Sequence, residues 1–167
     1  MSGSPSEKSE AGRPSAGREV RDQLKRDEML EAVAGEYARV TSLVSSLSDA
    51  DMLRATRCET WSVADLLFHM LGDADRALIA FASPTDEPAD VDFASYWAPF
   101  KPGGEDAVQH ARHIRVGAAA YARPQGIVDR WRVTSEAAIR AAKASPHGRF
   151  TTQGHVLEAG DFLATLA

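Results

Sequence analysis

Cys58-Glu59-Thr60-Trp61-Ser62-Val63-Ala64-Asp65-Leu66-Leu67-Phe68-His69-Met70 is the stretch on which the reading of this chain turns. It reads as a loop closing on a tryptophan, a capped helix start, and a histidine two turns into an apolar helix. Ser62 and Asp65 form an N-terminal capping pattern. The Ser hydroxyl accepts from a backbone N–H that has no partner within the helix, and the Asp carboxylate sits at the positive end of the helix dipole. The helix runs to about Ala82, where Ser83-Pro84 stops it. Val63, Leu67, Met70, Ala74, Leu78 and Phe81 make its core stripe. Leu66, Phe68, Leu71 and Ile79 widen that face until several neighbours are needed to bury it. His69 lies off the centre of the stripe, on the flank of Leu66 and Asp73, and is expected to face a gap between helices.

Toward the N-terminus, Leu30, Val33, Tyr37, Val40, Val44 and Leu47 recur at spacings of three and four and predict a helix from near Asp27 to Leu47. Ser48 with Asp51 looks like the cap of a short turn through Leu53. Residues 1–22 are rich in Ser, Gly, Glu and Arg and are expected to form a disordered tail, with 23–167 as the domain. Toward the C-terminus, residues 84–104 form a long connection carrying Phe93, Tyr96, Trp97 and Phe100, expected to pack onto the domain as a lid. A third helix follows from Gly104-Glu105 to about Ala122, with Ala107, Ala111, Ile114, Ala118 and Tyr121 inward. Pro124 and Gly126 interrupt it. Helix resumes from about Ile127 to Ala144, with Val128, Trp131, Ser135, Ala138 and Ala142 on one face. Arg149 to Val156 is the one part with strand character, and Glu158 to Ala167 reads as a helix just beginning.

With 167 residues, 44% hydrophobic and 26% charged, the chain has the makings of one soluble domain with a core. Its net charge of −5 gives no attraction to nucleic acid or to an anionic membrane. No apolar run approaches the roughly 18 residues that span a bilayer, and the N-terminus lacks the apolar segment of a secretory signal. The single cysteine, Cys58, excludes an internal disulfide, fits a cytoplasmic location and is expected to be a small buried residue steadying its loop, with a reactive thiol as the alternative. Phosphate-cradling glycine loops and a nucleophile-elbow serine are absent, so the histidines carry the chemistry.

His69, as a neutral imidazole in an apolar wall, is a ligand for zinc or a similar divalent ion if other helices add partners. Taken alone, it is more readily a structural histidine. Asp106, His110 and His113 share one flank of the third helix, beside Gly117, which leaves room next to the backbone. They form a candidate pocket facing His69, either as a substitute metal site or as an acid/base pair. The competing reading is an Asp–His pair at a solvent boundary. His147 and His155 lie in loops.

Thr56-Arg57-Cys58-Glu59-Thr60-Trp61-Ser62-Val63-Ala64-Asp65-Leu66-Leu67-Phe68-His69 resembles the T-x-C-x-x-W-[ST]-V-x-D-L-x-x-H segment of the mycothiol-dependent maleylpyruvate isomerase N-terminal domain, within the DinB-like superfamily. Gln153-Gly154-His155-Val156-Leu157, followed by Asp161-Phe162-Leu163-Ala164-Thr165-Leu166, is similar to the run into that family's last helix. The resemblance covers roughly residues 27–167. It implies an all-α, up-down four-helix bundle of DinB-like type, with the fourth helix only begun in this chain. It also implies a divalent metal, commonly zinc, with His69 as first ligand and a Glu-x-x-x-His pair on the fourth helix as the other two. An open position on such a metal takes a thiol, in this family mycothiol, and members catalyse isomerisation or thiol transfer. No Glu-x-x-x-His occurs here, so zinc binding is expected to be weak and insensitive to His69→Ala unless Asp106 and His110 substitute. The expected partners are a small-molecule thiol and its substrate, with no nucleic acid or membrane, and self-association through the apolar face left open. The alternative is a non-catalytic helical interaction module that pairs through that face.

Overall fold

The computed structural model describes residues 16–167; the expected tail over residues 1–15 lies outside them. The described chain runs α1 (Ala16–Ser45), α2 (Asp49–Met52), α3 (Val63–Phe81), α4 (Phe93–Trp97), α5 (Glu105–Ala119), α6 (Gln125–Ala144), β1 (Arg149–Thr152), β2 (His155–Glu158) and α7 (Ala159–Ala164). The helical class expected from the sequence is the class observed.

α1 starts well before Asp27, and residues expected in the tail are helical instead. Polar tertiary contacts hold this extension. Lys25 Nζ pairs with Asp161 Oδ1 at 2.7 Å, and Arg26 Nη2 donates to the carbonyls of Ala142 and Ser145 at 2.9 and 2.5 Å. Those carbonyls close the C-terminal end of α6, where unpaired acceptors attract a cation. Further along, Val33, Tyr37 and Val44 are buried as the stripe requires.

Contacts at the two ends fix the helix directions. Asp49, just past α1, holds Arg123 Nε and the Gln125 N–H, both at 3.0 Å, at the start of α6. Arg26, near the start of α1, holds the end of α6, so α1 and α6 are antiparallel. The residues after α3 meet β1, which follows α6: Thr151 N–H donates to Ser83 O at 3.0 Å and Thr85 N–H to Arg149 O at 3.3 Å. Ser62 and Ala64, opening α3, share a cleft with Pro124 and Ile127, opening α6. α3 and α6 therefore run in the same direction, and α7 starts beside Lys25 and follows α1. The order is up, down, down, up in place of strict alternation, and residues 82–104 with α5 return the chain between the two parallel helices.

Trp131, fully buried on α6, packs edge-on against Tyr37 at 4.9 Å, and its indole N–H donates to Thr41 Oγ1 at 2.9 Å. Near the hairpin, Phe81 meets Phe150 at 5.0 Å and Phe162 at 5.4 Å. β1 and β2 pair antiparallel, with Phe150 opposite Leu157, both at 0% exposure. Gln153 and Gly154 make the turn with φ of 47° and 83°, the handedness that matches strand twist in a two-residue hairpin.

One expectation fails in the core pattern. Ile79 is 66% exposed. Ala64, Ala74, Ala77 and Ala80 fill the inner face of α3, where small side chains permit close approach. In the 84–104 connection, Asp92 and Ser95 form a capping box that starts α4. Its aromatics do not pack down as a group: Phe93, Trp97 and Phe100 stay 42%, 42% and 53% exposed. Tyr96 alone of the four turns inward, onto Arg76.

Candidate metal centre

The start of α3 is built as its sequence predicts. Ser62 Oγ accepts from the Asp65 N–H at 3.2 Å, and Asp65 Oδ2 accepts from the Ser62 N–H at 2.8 Å, a complete capping box. The preceding loop is closed by Thr56, whose N–H and hydroxyl both donate to Trp61 O at 2.9 Å. Thr60 takes φ of 67° to make the turn, a costly conformation for a β-branched residue. Cys58 is exposed and not the buried residue expected; the threonine, with two donors aimed at one carbonyl, steadies the loop. Trp61 is thereby laid against the His69 ring at 5.4 Å and forms one wall of the site.

α5 supplies the opposite wall. Gly117 lies against Phe68, where a Cβ would come well under 3.0 Å from the ring, so the missing side chain lets α5 approach α3 closely. That approach brings His110 Nε2 to 3.3 Å from His69 Nδ1, with the rings 5.1 Å apart and nearly perpendicular. Burial lowers the pKa of His110 below the usual imidazole range. His69 and His113 add to that, and Asp73 opposes it. The neutral form so favoured is the one with a lone pair to offer. Of the second group singled out from the sequence, only His110 meets His69; Asp106 and His113 are exposed on the same helix. His155 is far from this pair, and its Nδ1–H donates to Asp90 Oδ2 at 3.1 Å, pinning the 84–104 connection to the hairpin.

The nitrogens of a tetrahedral zinc site, each roughly 2.0–2.1 Å from the metal, stand about 3.3–3.4 Å apart. The 3.3 Å His69–His110 separation is that of a hydrogen bond between the two ring nitrogens, one donating and the other accepting, and it also matches two corners of such a site. Among the described residues, no three His, Cys, Asp or Glu groups converge to hold a metal.

Sequence reasoning missed Arg76. His69, Asp73 and Arg76 follow at spacings of four and three down one face of α3. The Arg76 side chain is 10% exposed and pairs with Asp73 Oδ1 at 3.2 Å. It also donates to Thr165 Oγ1 at 3.0 Å, Thr165 O at 3.3 Å and Tyr96 Oη at 3.3 Å. Its guanidinium stacks over Tyr96 and Phe162. The one basic residue of α3 besides His69, two turns past it and three residues after Asp73, was the available signal. Tyr37 Oη, buried nearby, has no hydrogen-bond partner among the described residues, and burial, with Asp73 adding, pushes its pKa up. A cavity of about 860 Å³ lies elsewhere, between the start of α1, residues 88–92 and the hairpin, and is lined largely by charged groups.

No helix among the described residues is long and apolar enough to cross a membrane. No curated protein and no solved structure matches the chain. Residues 33–167 match the family described as mycothiol maleylpyruvate isomerase N-terminal domain. With the Trp61-to-His69 segment inside that match and the helical fold around it, the chain belongs to this family.

Proposed function

We propose that the chain is a divalent-metal-binding helical domain that serves a small thiol of the mycothiol type, with His69 and His110 holding the metal, zinc being the best fit. The 3.3 Å separation of their ring nitrogens carries this reading. Bound there, zinc would supply Lewis acidity toward a thiol sulfur. The chain's own part is to present two imidazoles, to wall one side with Trp61, and to hold α5 against α3 through the gap at Gly117. Asp106 and His113 are not needed. Two protein nitrogens leave the set short of the usual three, so affinity is weak and the domain by itself is catalytically incomplete.

Cobalt(II) titration of the 167-residue chain tests this, because tetrahedral cobalt has intense visible absorption. One weak site per chain, lost in both His69→Ala and His110→Ala, is the expected result. Binding that survives His110→Ala would remove His110 from the site, and a wild-type chain that binds no cobalt or zinc would end the metal reading. The exposed side chains of Phe93, Trp97 and Phe100 favour a second reading, a non-catalytic helical module that pairs with a second copy, on a different surface from the open bundle face expected from the sequence. Sedimentation separates the two: a monomer at high concentration rejects pairing. A reducing cytoplasm suits an exposed, unpaired Cys58.

A further inference from the structure

On the flank of α5 turned away from His110, a cleft of about 590 Å³ opens between the starts of α3 and α6. Its floor is apolar and closed: Ala64, Ala118 and Ile127 are 5%, 8% and 0% exposed. Its sides are apolar but open, since Leu53 and Val116 are 65% and 64% exposed. Side chains of this kind left in water around a concave floor mark a binding surface better than singly scattered ones do.

The charge lining the cleft is mainly positive, two arginines against one carboxylate. Arg112 and Arg115 line it from α5, and neither has an ion pair or hydrogen bond among the described residues, although most arginines of the domain do. Two helix N-termini, those of α3 and α6, converge on it with their positive dipole ends. The single carboxylate in the lining, Asp65, is engaged by the Ser62 cap. An apolar floor beneath two unpaired guanidinium groups is complementary to a small molecule with an apolar body and one anionic head. Guanidinium pairs with carboxylate through parallel N–H donors.

We propose that this cleft binds a small monocarboxylate with an aliphatic or aromatic body, the body on Ala64, Ala118 and Ile127 and the carboxylate between Arg112 and Arg115. The site is independent of the metal reading, because it shares no residue with the His69–His110 pair. Titration of the 15N-labelled 167-residue chain with octanoate tests it, with octan-1-ol and inorganic phosphate as the two control ligands. Octanoate should shift the amides of Ala64, Val116, Ala118 and Ile127, and Arg112→Gln with Arg115→Gln should weaken it tenfold or more. Both arginines are exposed, so the double variant keeps its fold, which its unchanged amide spectrum away from the cleft will show. Octan-1-ol and phosphate should each bind at least tenfold more weakly than octanoate. Shifts elsewhere in the domain, or none, overturn the proposal. So does octan-1-ol binding as well as octanoate with no effect of the arginine substitutions, which would make the cleft merely greasy. Phosphate matching octanoate would make it a general anion site and equally overturn the monocarboxylate assignment.

Discussion

Gly117→Ala should destabilise the domain, although the same change in an exposed helix would stabilise it. Replacing a helical glycine by alanine gains about 1 kcal/mol from reduced backbone freedom in the unfolded chain. Here the added methyl meets Phe68 Cε1 and Cζ far inside contact distance, and Cδ1 at 3.3 Å. The ring cannot simply rotate away, because its other side packs edge-on against Tyr121 at 6.1 Å. To restore a carbon–carbon separation of about 3.5 Å, ring or helix must retreat by roughly 1 Å. Overpacking of this kind costs about 1–3 kcal/mol, so the net loss is about 1 kcal/mol. Phe68→Leu removes the two ring atoms responsible, and in that background Gly117→Ala should stabilise by up to about 1 kcal/mol. Urea denaturation of the four proteins of this double-mutant cycle measures both effects, with a coupling energy of about 2 kcal/mol. The same retreat should pull His110 from His69 and weaken cobalt binding. If Gly117→Ala stabilises the wild-type background, or if the two substitutions are additive, Phe68 does not set the α3–α5 separation and the reasoning fails.

Arg76→Met keeps the stem of a nearly buried side chain but strands Thr165 O and Asp73, and should cost about 2–4 kcal/mol in urea denaturation. Faster amide exchange in α7 than in α6 should accompany it, since Arg76 ties α7 to α3; an unchanged midpoint would show the guanidinium to be a passenger. Asp90 is held below the usual carboxylate range, first by the Val156 N–H at 2.7 Å and then by His155. A depressed folded pKa stabilises above the unfolded value of about 3.9 and is lost as pH falls through the folded one. Val156 amide protection should therefore drop as pH is lowered below about 4, and Asp90→Asn should show no such step.

The parts of the fold set by repeating local patterns were legible. Val128, Trp131, Ser135, Ala138 and Ala142 recur at helical spacing and all five are buried, and the caps at Ser48 and Ser62 were readable from single pairs of residues. What escaped depends on partners distant in sequence. The start of α1 has no apolar stripe and is held by Lys25 and Arg26 reaching across to Asp161 and α6, which no periodicity encodes. The aromatics of residues 84–104 were read by composition, which cannot tell that only Tyr96 finds a buried arginine to stack on. His69 and His110 were each visible as candidates, but their 3.3 Å meeting rests on the direction in which α5 crosses α3.

That direction follows from the topology. Had α6 run opposite to α3, a short turn after Phe81 would have sufficed, and no helix would pass back along the outside of α3. Because the two run together, the chain must return the length of the bundle before α6 can begin. α5 is that return, and it leaves α3 with His69 and Gly117's neighbour Phe68 facing a second helix instead of solvent. The same crossing creates both faces, since α5 presents His110 on one flank and Arg112 with Arg115 on the other. A chain that shortened α5 or replaced Gly117 with a bulky residue would therefore lose the imidazole pair and the arginine-rimmed cleft together. The two sites are separate in chemistry yet share one geometric cause.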